Sequence, residues 1–222
     1  MIKFKSLIPE ILKQNPIKKC KPNDFKWFNK TLEDLKRNGP FNIHIGRCPG
    51  IISILNKGWI QYSYQDFIIE TNGDLESFKW YSEIDQKKLK NGNFLGDYIS
   101  SHPKEQLQKF KPFLENTLHA IIKIQSPWVV YIPDGYSLLS MPIPYNDDVR
   151  FTAATGFLKK MSFCNVQIYW HRLNSKELIK KGTPLCQYLL FKDEEIDFEI
   201  SKMNKNDISH LKKLRNTRYI RH

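Results

Sequence analysis

The stretch from Ser126 to Phe191 constrains this chain most, because short apolar and aromatic runs alternate there with turn signals. Trp128 to Ile132 is one run, preceded by Leu118 to Ile124. Pro133-Asp134-Gly135 then makes a turn, since proline pre-sets φ and glycine accepts a positive φ. Tyr136 to Met141 follows, Pro142 and Pro144 end its pairing, and Tyr145-Asn146-Asp147-Asp148 is loop. Phe151 to Phe157, Val166 to Trp170 and Leu185 to Phe191 complete the set, the last entered through the tight turn Lys181-Gly182-Thr183-Pro184. Val166-Gln167-Ile168-Tyr169-Trp170 alternates in and out, as a half-buried strand does. Many short strands between turn clusters predict a mainly β chain with a β-barrel or jelly-roll core.

Size permits such a core: 222 residues, 41% hydrophobic and 13% aromatic, suit one embellished domain rich in β structure. The expected division is an N-terminal accessory layer over residues 1–40, a barrel over 41–200 with a polar insertion at about 81–116, and a basic C-terminal helix and tail over 201–222. In the first segment, Lys5 to Gln14 is a helix candidate with Leu7, Ile11 and Leu12 on one side. Thr31 is expected to cap a helix through Lys36, with Asp34 at the acidic third position. Phe25, Trp27 and Phe28 are expected to pack this layer onto the barrel. Residues 41–80 read as strands at Phe41 to Ile45, Ile51 to Leu55, Trp59 to Tyr64, Phe67 to Glu70 and Leu75 to Trp80. Gly46 to Gly50, Asn56-Lys57-Gly58 and Asn72-Gly73-Asp74 are the turns between them. In the insertion, Ile84 to Leu89 and His102 to Glu115 are weakly helical. An acidic run from Asp193 to Glu199 precedes a C-terminal helix expected to be capped by Asn206, with Ile208, Leu211 and Leu214 on one face.

A formal charge of +12 favours an anionic partner: nucleic acid, a phosphate ligand or an acidic surface. The basic face and tail of the last helix, with Lys212, Lys213, Arg215, Arg218 and Arg221, is the candidate contact for nucleic acid or a protein partner. The four cysteines, Cys20, Cys48, Cys164 and Cys186, form no Cys-x-x-Cys pair and read as free thiols of a reducing compartment. No signal peptide is legible after Met1, and no apolar run reaches the roughly 18 residues of a membrane span. Six histidines are scattered without i,i+2 or i,i+4 pairs, and no His-x-Asp or His-x-Glu occurs, so neither a metal site nor a cofactor is expected. A Gly-rich phosphate loop is likewise not legible, since Gly46 to Gly50 lacks the Lys-Ser/Thr ending.

Thr155-Gly156-Phe157-Leu158-Lys159, Gln167 to Trp170 and Lys181-Gly182-Thr183-Pro184-Leu185-Cys186-Gln187-Tyr188 resemble the C-terminal half of the dUTPase and dCTP-deaminase β-clip barrels. Ser126-Pro127-Trp128, Pro133 to Leu139 and Lys181 to Gln187 are also similar to a family of tailed-bacteriophage proteins, many of them marine, to which no activity is attached. The first resemblance implies a β-clip-like core. It departs from a dUTPase where the water-positioning aspartate would stand, since Lys159 occupies that place and a cation cannot act as that base. The Arg-Ser-Gly-Leu-Ala phosphate motif is missing from the chain as well. No catalytic residue is therefore assigned. The second resemblance implies a phage-encoded protein; since phages reuse β-clip and jelly-roll domains as particle parts and the dUTPase base is missing, the expectation is a non-enzymatic virion or assembly component, located in the particle or the infected cell's cytoplasm, with itself or other phage proteins as partners. The alternative is binding of a small anionic, nucleotide-like ligand in a dUTPase-like pocket. Arg150, Tyr136, Tyr169, Gln187 and Lys159 are the candidate ligand contacts, while Gly182 and Gln187 also suit structural roles in the turn and behind it.

Overall fold

A computed structural model describes residues 1–38, 48–82, 98–102 and 116–220. Among these residues four antiparallel sheets enclose one main core. The first runs β1 (Lys3–Ser6), β8 (Trp128–Tyr131), β12 (Met161–Phe163). The second runs β10 (Phe151–Ala153), β13 (Val166–Trp170), β7 (Ile121–Ile124), β6 (Ile99–His102). The third runs β11 (Gly156–Leu158), β9 (Tyr136–Met141), β15 (Pro184–Lys192), β3 (Trp59–Tyr62), β2 (Lys18–Lys19). The fourth runs β14 (Lys176–Ile179), β4 (Phe67–Thr71), β5 (Phe78–Ser82). Each contributes its inward residues to the same apolar mass: Val130, Ile122 and Ile168, Leu138 and Tyr188, Phe67 and Ile69 are all fully buried there. The mainly β reading holds, with few helices.

Several local expectations fail. Residues 3–6 pair with β8 instead of starting a helix; only Ile11–Gln14 (α1) is helical, and of the expected apolar side only Ile11 is buried. The next helix, α2 (Lys26–Asn38), begins five residues before Thr31, which lies inside it. Its approach is a 3-10 turn, Pro22–Asp24, where the Asp24 carboxylate accepts the Lys21 N–H at 3.1 Å. Ile51 to Leu55 is not a strand but the body of α3 (Pro49–Leu55). Pro49 sits in the first turn, where its missing N–H costs nothing, and Ile51 and Leu55, four apart, share the buried face. Asn56-Lys57-Gly58 is consequently a helix exit rather than a hairpin turn, with Asn56 as the C-cap. Phe151 to Phe157 divides into β10 and β11, which join different sheets. Tyr98 to His102 belongs to the barrel and not to a polar insertion: β6 pairs with β7, and Tyr98 is fully buried. The Phe41 to Ile45 strand, the helix over Ile84 to Leu89 and all but the first residue of His102 to Glu115 lie outside the described residues.

The aromatic cluster behaves as expected. Phe25 and Phe28 are buried with Cys20, Ile51, Leu55 and Ile60, and Trp27 packs beside them, so α2 and α3 form a second small core on the β3 side of the barrel. Gly58 holds this layer to the sheet. Its φ is +73°, and an added Cβ would lie 1.8 Å from the Tyr188 carbonyl oxygen.

The last helix, α4 (Lys205–Ile220), is capped two residues earlier than expected. Asn204 Oδ1 accepts the N–H groups of Asn206 (2.8 Å) and Asp207 (3.0 Å), and Asp207 returns a carboxylate to the Asn204 N–H at 2.9 Å. That reciprocal arrangement needs an acid three residues after the cap, which selects Asn204 over Asn206. Ile208 and Leu211, the expected apolar face, are 43% and 48% exposed.

Candidate functional site

The five residues expected to line a pocket do not converge. Arg150 is held by its neighbour: Nε and Nη2 donate to the two Asp148 carboxylate oxygens at 2.9 and 2.6 Å, and Nη1 donates to the Leu178 carbonyl. Burial alone would raise the Asp148 carboxyl, but the hydrogen bonds from Arg150 and the charges of Arg150 and Arg172 outweigh it and hold the pKa below the usual value. Tyr169 is half-buried on β13, opposite Thr152. Gln187 is fully buried in the third sheet, where Nε2 donates to the carbonyls of Ile54 (2.9 Å) and Lys57 (2.7 Å). It thus satisfies carbonyls at the open end of α3, a partner for groups that a helix terminus leaves unpaired.

Two pairs form instead: Arg150 and Tyr169 lie diagonally across β10 and β13, where the His171 N–H donates to the Arg150 carbonyl at 2.9 Å, and Tyr136 and Lys159 come to one end of the third sheet. Leu158 faces Leu138 across β11 and β9, so the following Lys159 lies by the start of β9, where Tyr136 pairs with Lys192. Lys159 Nζ is 3.9 Å from the Asp193 carboxylate. Gln187 stands opposite Met141, five residues further along β9, or about 17 Å at the rise of a strand.

Next to Arg150, His171 is pinned from both sides. Its Nε2 is 2.8 Å from Thr152 Oγ1 and its Nδ1 is 3.2 Å from Thr117 Oγ1, and burial lowers its pKa. Inside the barrel the Tyr188 hydroxyl donates to Gln61 Oε1 (2.9 Å), with the Cys164 carbonyl as a longer second acceptor at 3.3 Å. Gln61 Nε2 in turn donates to Ser126 Oγ at 3.2 Å, and Ser126 Oγ accepts the Trp128 N–H. Burial pushes the Cys186 thiol up to about 11 and raises Cys164 too, while burial and then the Asp24 charge push Cys20 up to about 12. Those thiols are poor nucleophiles. No group of three or more His, Cys, Asp or Glu side chains placed to hold a metal ion occurs among the described residues.

The arrangement that stands out lies on the outside. In the first sheet Trp128 and Val130 point into the core, so Val129 and Tyr131 point out. Pairing puts Met161 and Lys3 on either side of Tyr131, and Phe163 and Lys5 on either side of Val129. Tyr131, Met161 and Phe163 are 38%, 64% and 44% exposed, and Lys5 Nζ lies 4.8 Å above the Tyr131 ring. Among the described residues β12 is the outer strand of this sheet, bonded to β8 alone. Lys159 and Lys160 connect it to β11, whose exposed Phe157 meets Phe191 edge to face at 6.2 Å between ring centres. An exposed apolar face fringed by lysines thus ends at a strand edge that no other described strand pairs with.

A scan against protein-family models finds no match, and a search of the curated proteins finds none either. Among the solved structures that are similar are two phage dUTPases. A mutant dUTPase from phage phi11 of S. aureus matches at 9% identity and a TM-score of 0.40, over 92% of this chain and 99% of that one. A mutant dUTPase of Staphylococcus bacteriophage 80alpha matches at 10% identity and a TM-score of 0.40, over 92% of this chain and 98% of that one. At that identity and TM-score the likeness assigns no residue of this chain a role.

Of the basic residues expected to meet nucleic acid or a partner, Lys212 and Lys213 are exposed on α4, Arg215 and Arg218 fall within its backbone range, and Arg221 lies outside the described residues. No helix among the described residues is long and apolar enough to cross a membrane. The outward face was missed in the sequence because β12 spans only Met161–Phe163, too short for alternation to register. The spacing of Val129 and Tyr131 was readable, but which parity faces the core is decided by pairing.

Proposed function

We propose that this chain is a non-enzymatic, phage-encoded β-barrel component that works in a virion or its assembly by docking through the outer face of the first sheet. The exposed row Tyr131, Met161 and Phe163, fringed by Lys3 and Lys5 and ending at the free edge of β12, carries this reading. An edge strand with large exposed side chains is costly to leave bare and is the usual template for adding another strand. The phage context rests on the resemblance of the Ser126–Gln187 motifs. Three of the polar groups elsewhere are engaged structurally: Arg150 by Asp148, the Gln187 amide N–H groups by the carbonyls of Ile54 and Lys57, and His171 by two threonines.

Sedimentation velocity of the purified chain tests the reading. Species heavier than the 26.3 kDa monomer are expected, diminishing when Met161→Ser and Phe163→Ser are combined. A monomer at every concentration, stabilised instead by one compound from a nucleotide panel, would support the anionic-ligand alternative. Of the five proposed contacts, Lys159 and Tyr136 would then be the pair to substitute first.

A further inference from the structure

The strand leaving β15 is not spent when pairing stops at Lys192. Residues 193–200 read Asp-Glu-Glu-Ile-Asp-Phe-Glu-Ile, five acids interleaved with Ile196, Phe198 and Ile200. These three are 82%, 85% and 89% exposed, and the segment has no regular secondary structure. Strict alternation puts them on one side of an extended chain and Glu195, Asp197 and Glu199 on the other, the period of a strand with one apolar face. An extended arm of this kind is a strand without a sheet.

We infer that residues 195–200 of a second copy of this chain add to the β12 edge, laying Ile196, Phe198 and Ile200 on the Tyr131, Met161 and Phe163 face. This inference rests on the assembly reading above and names its partner. Two observations select a second copy. The first is charge: the arm is the acidic part of a chain with net charge +12, Lys159 and Lys160 lead into the acceptor strand, and Lys3 and Lys5 lie on β1 across the same face, on the far side of β8. The second is placement. The arm starts beside its acceptor, since Asp193 is 3.9 Å from Lys159 at the head of the β11–β12 connection, yet arm and face are both left exposed in the single chain. An arm rooted next to the edge that receives it exchanges reciprocally about a two-fold axis, which closes the assembly at a dimer. Six residues extend about 20 Å, enough to cover the three of β12 with a turn's length to spare.

The test is disulfide capture between two differently tagged full-length chains, one carrying Phe198→Cys and the other Met161→Cys. Both carry Cys48→Ser, because Cys48 is the exposed native thiol. A disulfide-linked heterodimer under mild oxidation is expected, and a single chain carrying both substitutions should link mainly to other chains. In parallel, Ile196→Ser, Phe198→Ser and Ile200→Ser together change only exposed side chains and should weaken self-association by at least about thirtyfold. Links formed only within one chain would overturn the inference, since the arm then folds back. So would full self-association by the triple-serine chain; if Met161→Ser with Phe163→Ser still abolished it, the docking face would stand and only its occupant would be wrong. A monomer throughout would overturn both.

Discussion

Replacing Gln187 with leucine separates a structural amide from a ligand-binding one. Gln187 is fully buried, and Nε2 gives both its hydrogens away, to Ile54 O at 2.9 Å and Lys57 O at 2.7 Å. Leucine fills nearly the same volume but donates nothing, so the Lys57 carbonyl beyond the seven-residue helix loses this partner and the Ile54 carbonyl keeps the Lys57 N–H at 3.3 Å, while the buried Oε1, which has no partner, is removed as well. Leaving a buried acceptor unsatisfied costs about 1–3 kcal/mol, and a helix so short cannot hold itself by its own hydrogen bonds. With one carbonyl left without this donor, the expected loss is about 1–3 kcal/mol. For a domain of this size each kcal/mol moves the melting temperature by about 2–4 °C, which predicts a fall of about 2–12 °C in a thermal scan. Urea unfolding should show a lower midpoint with an unchanged slope. A Gln187→Leu protein that unfolds within about 0.5 kcal/mol of the parent would refute the clamp, because surface-like changes fall in that range.

Three further outcomes follow from the same geometry. Gly58→Ala should destabilise more than Gln187→Leu, since its φ of +73° and the 1.8 Å approach to the Tyr188 carbonyl leave a Cβ no place; circular dichroism and yield of folded protein check this. His171 binds its proton more weakly folded than unfolded, so stability should fall as pH drops below the ordinary 6.5 and level off once pH passes under the folded pKa; His171→Gln should flatten that dependence in pH-dependent urea melts. Titration with an aromatic disulfide reagent should find one fast thiol, Cys48, with Cys20, Cys164 and Cys186 reacting only on unfolding; a second fast thiol would contradict their burial.

The barrel was legible where strands are long or bounded by strong turns. Tyr136–Met141, Val166–Trp170 and Pro184–Lys192 lie where their alternation and the Gly135 and Gly182 turns put them, both glycines having positive φ. Reading failed where propensity and position disagree. Ile51, Ile52 and Ile54 favour a strand by side-chain type, yet Pro49 opens a helix and tertiary packing of Ile51 and Leu55 keeps it. The capping of α4 was recoverable, because an acid three residues on distinguishes Asn204 from Asn206. The docking face was not: Lys3, Val129, Tyr131, Met161 and Phe163 are scattered through the chain, and only the register of β1 and β12 on β8 gathers them.

The most direct measurement of the central claim is amide hydrogen exchange at Met161, Ser162 and Phe163 at low and high protein concentration. Among the described residues β12 is bonded to β8 on one side only, so its outward N–H groups should exchange freely in a lone chain. If this edge is the assembly surface, the outward amides gain protection as concentration rises, and combining Ile196→Ser, Phe198→Ser and Ile200→Ser removes the gain. Exchange at β12 that ignores concentration, in a protein that nonetheless self-associates, would move the interface elsewhere and contradict the account.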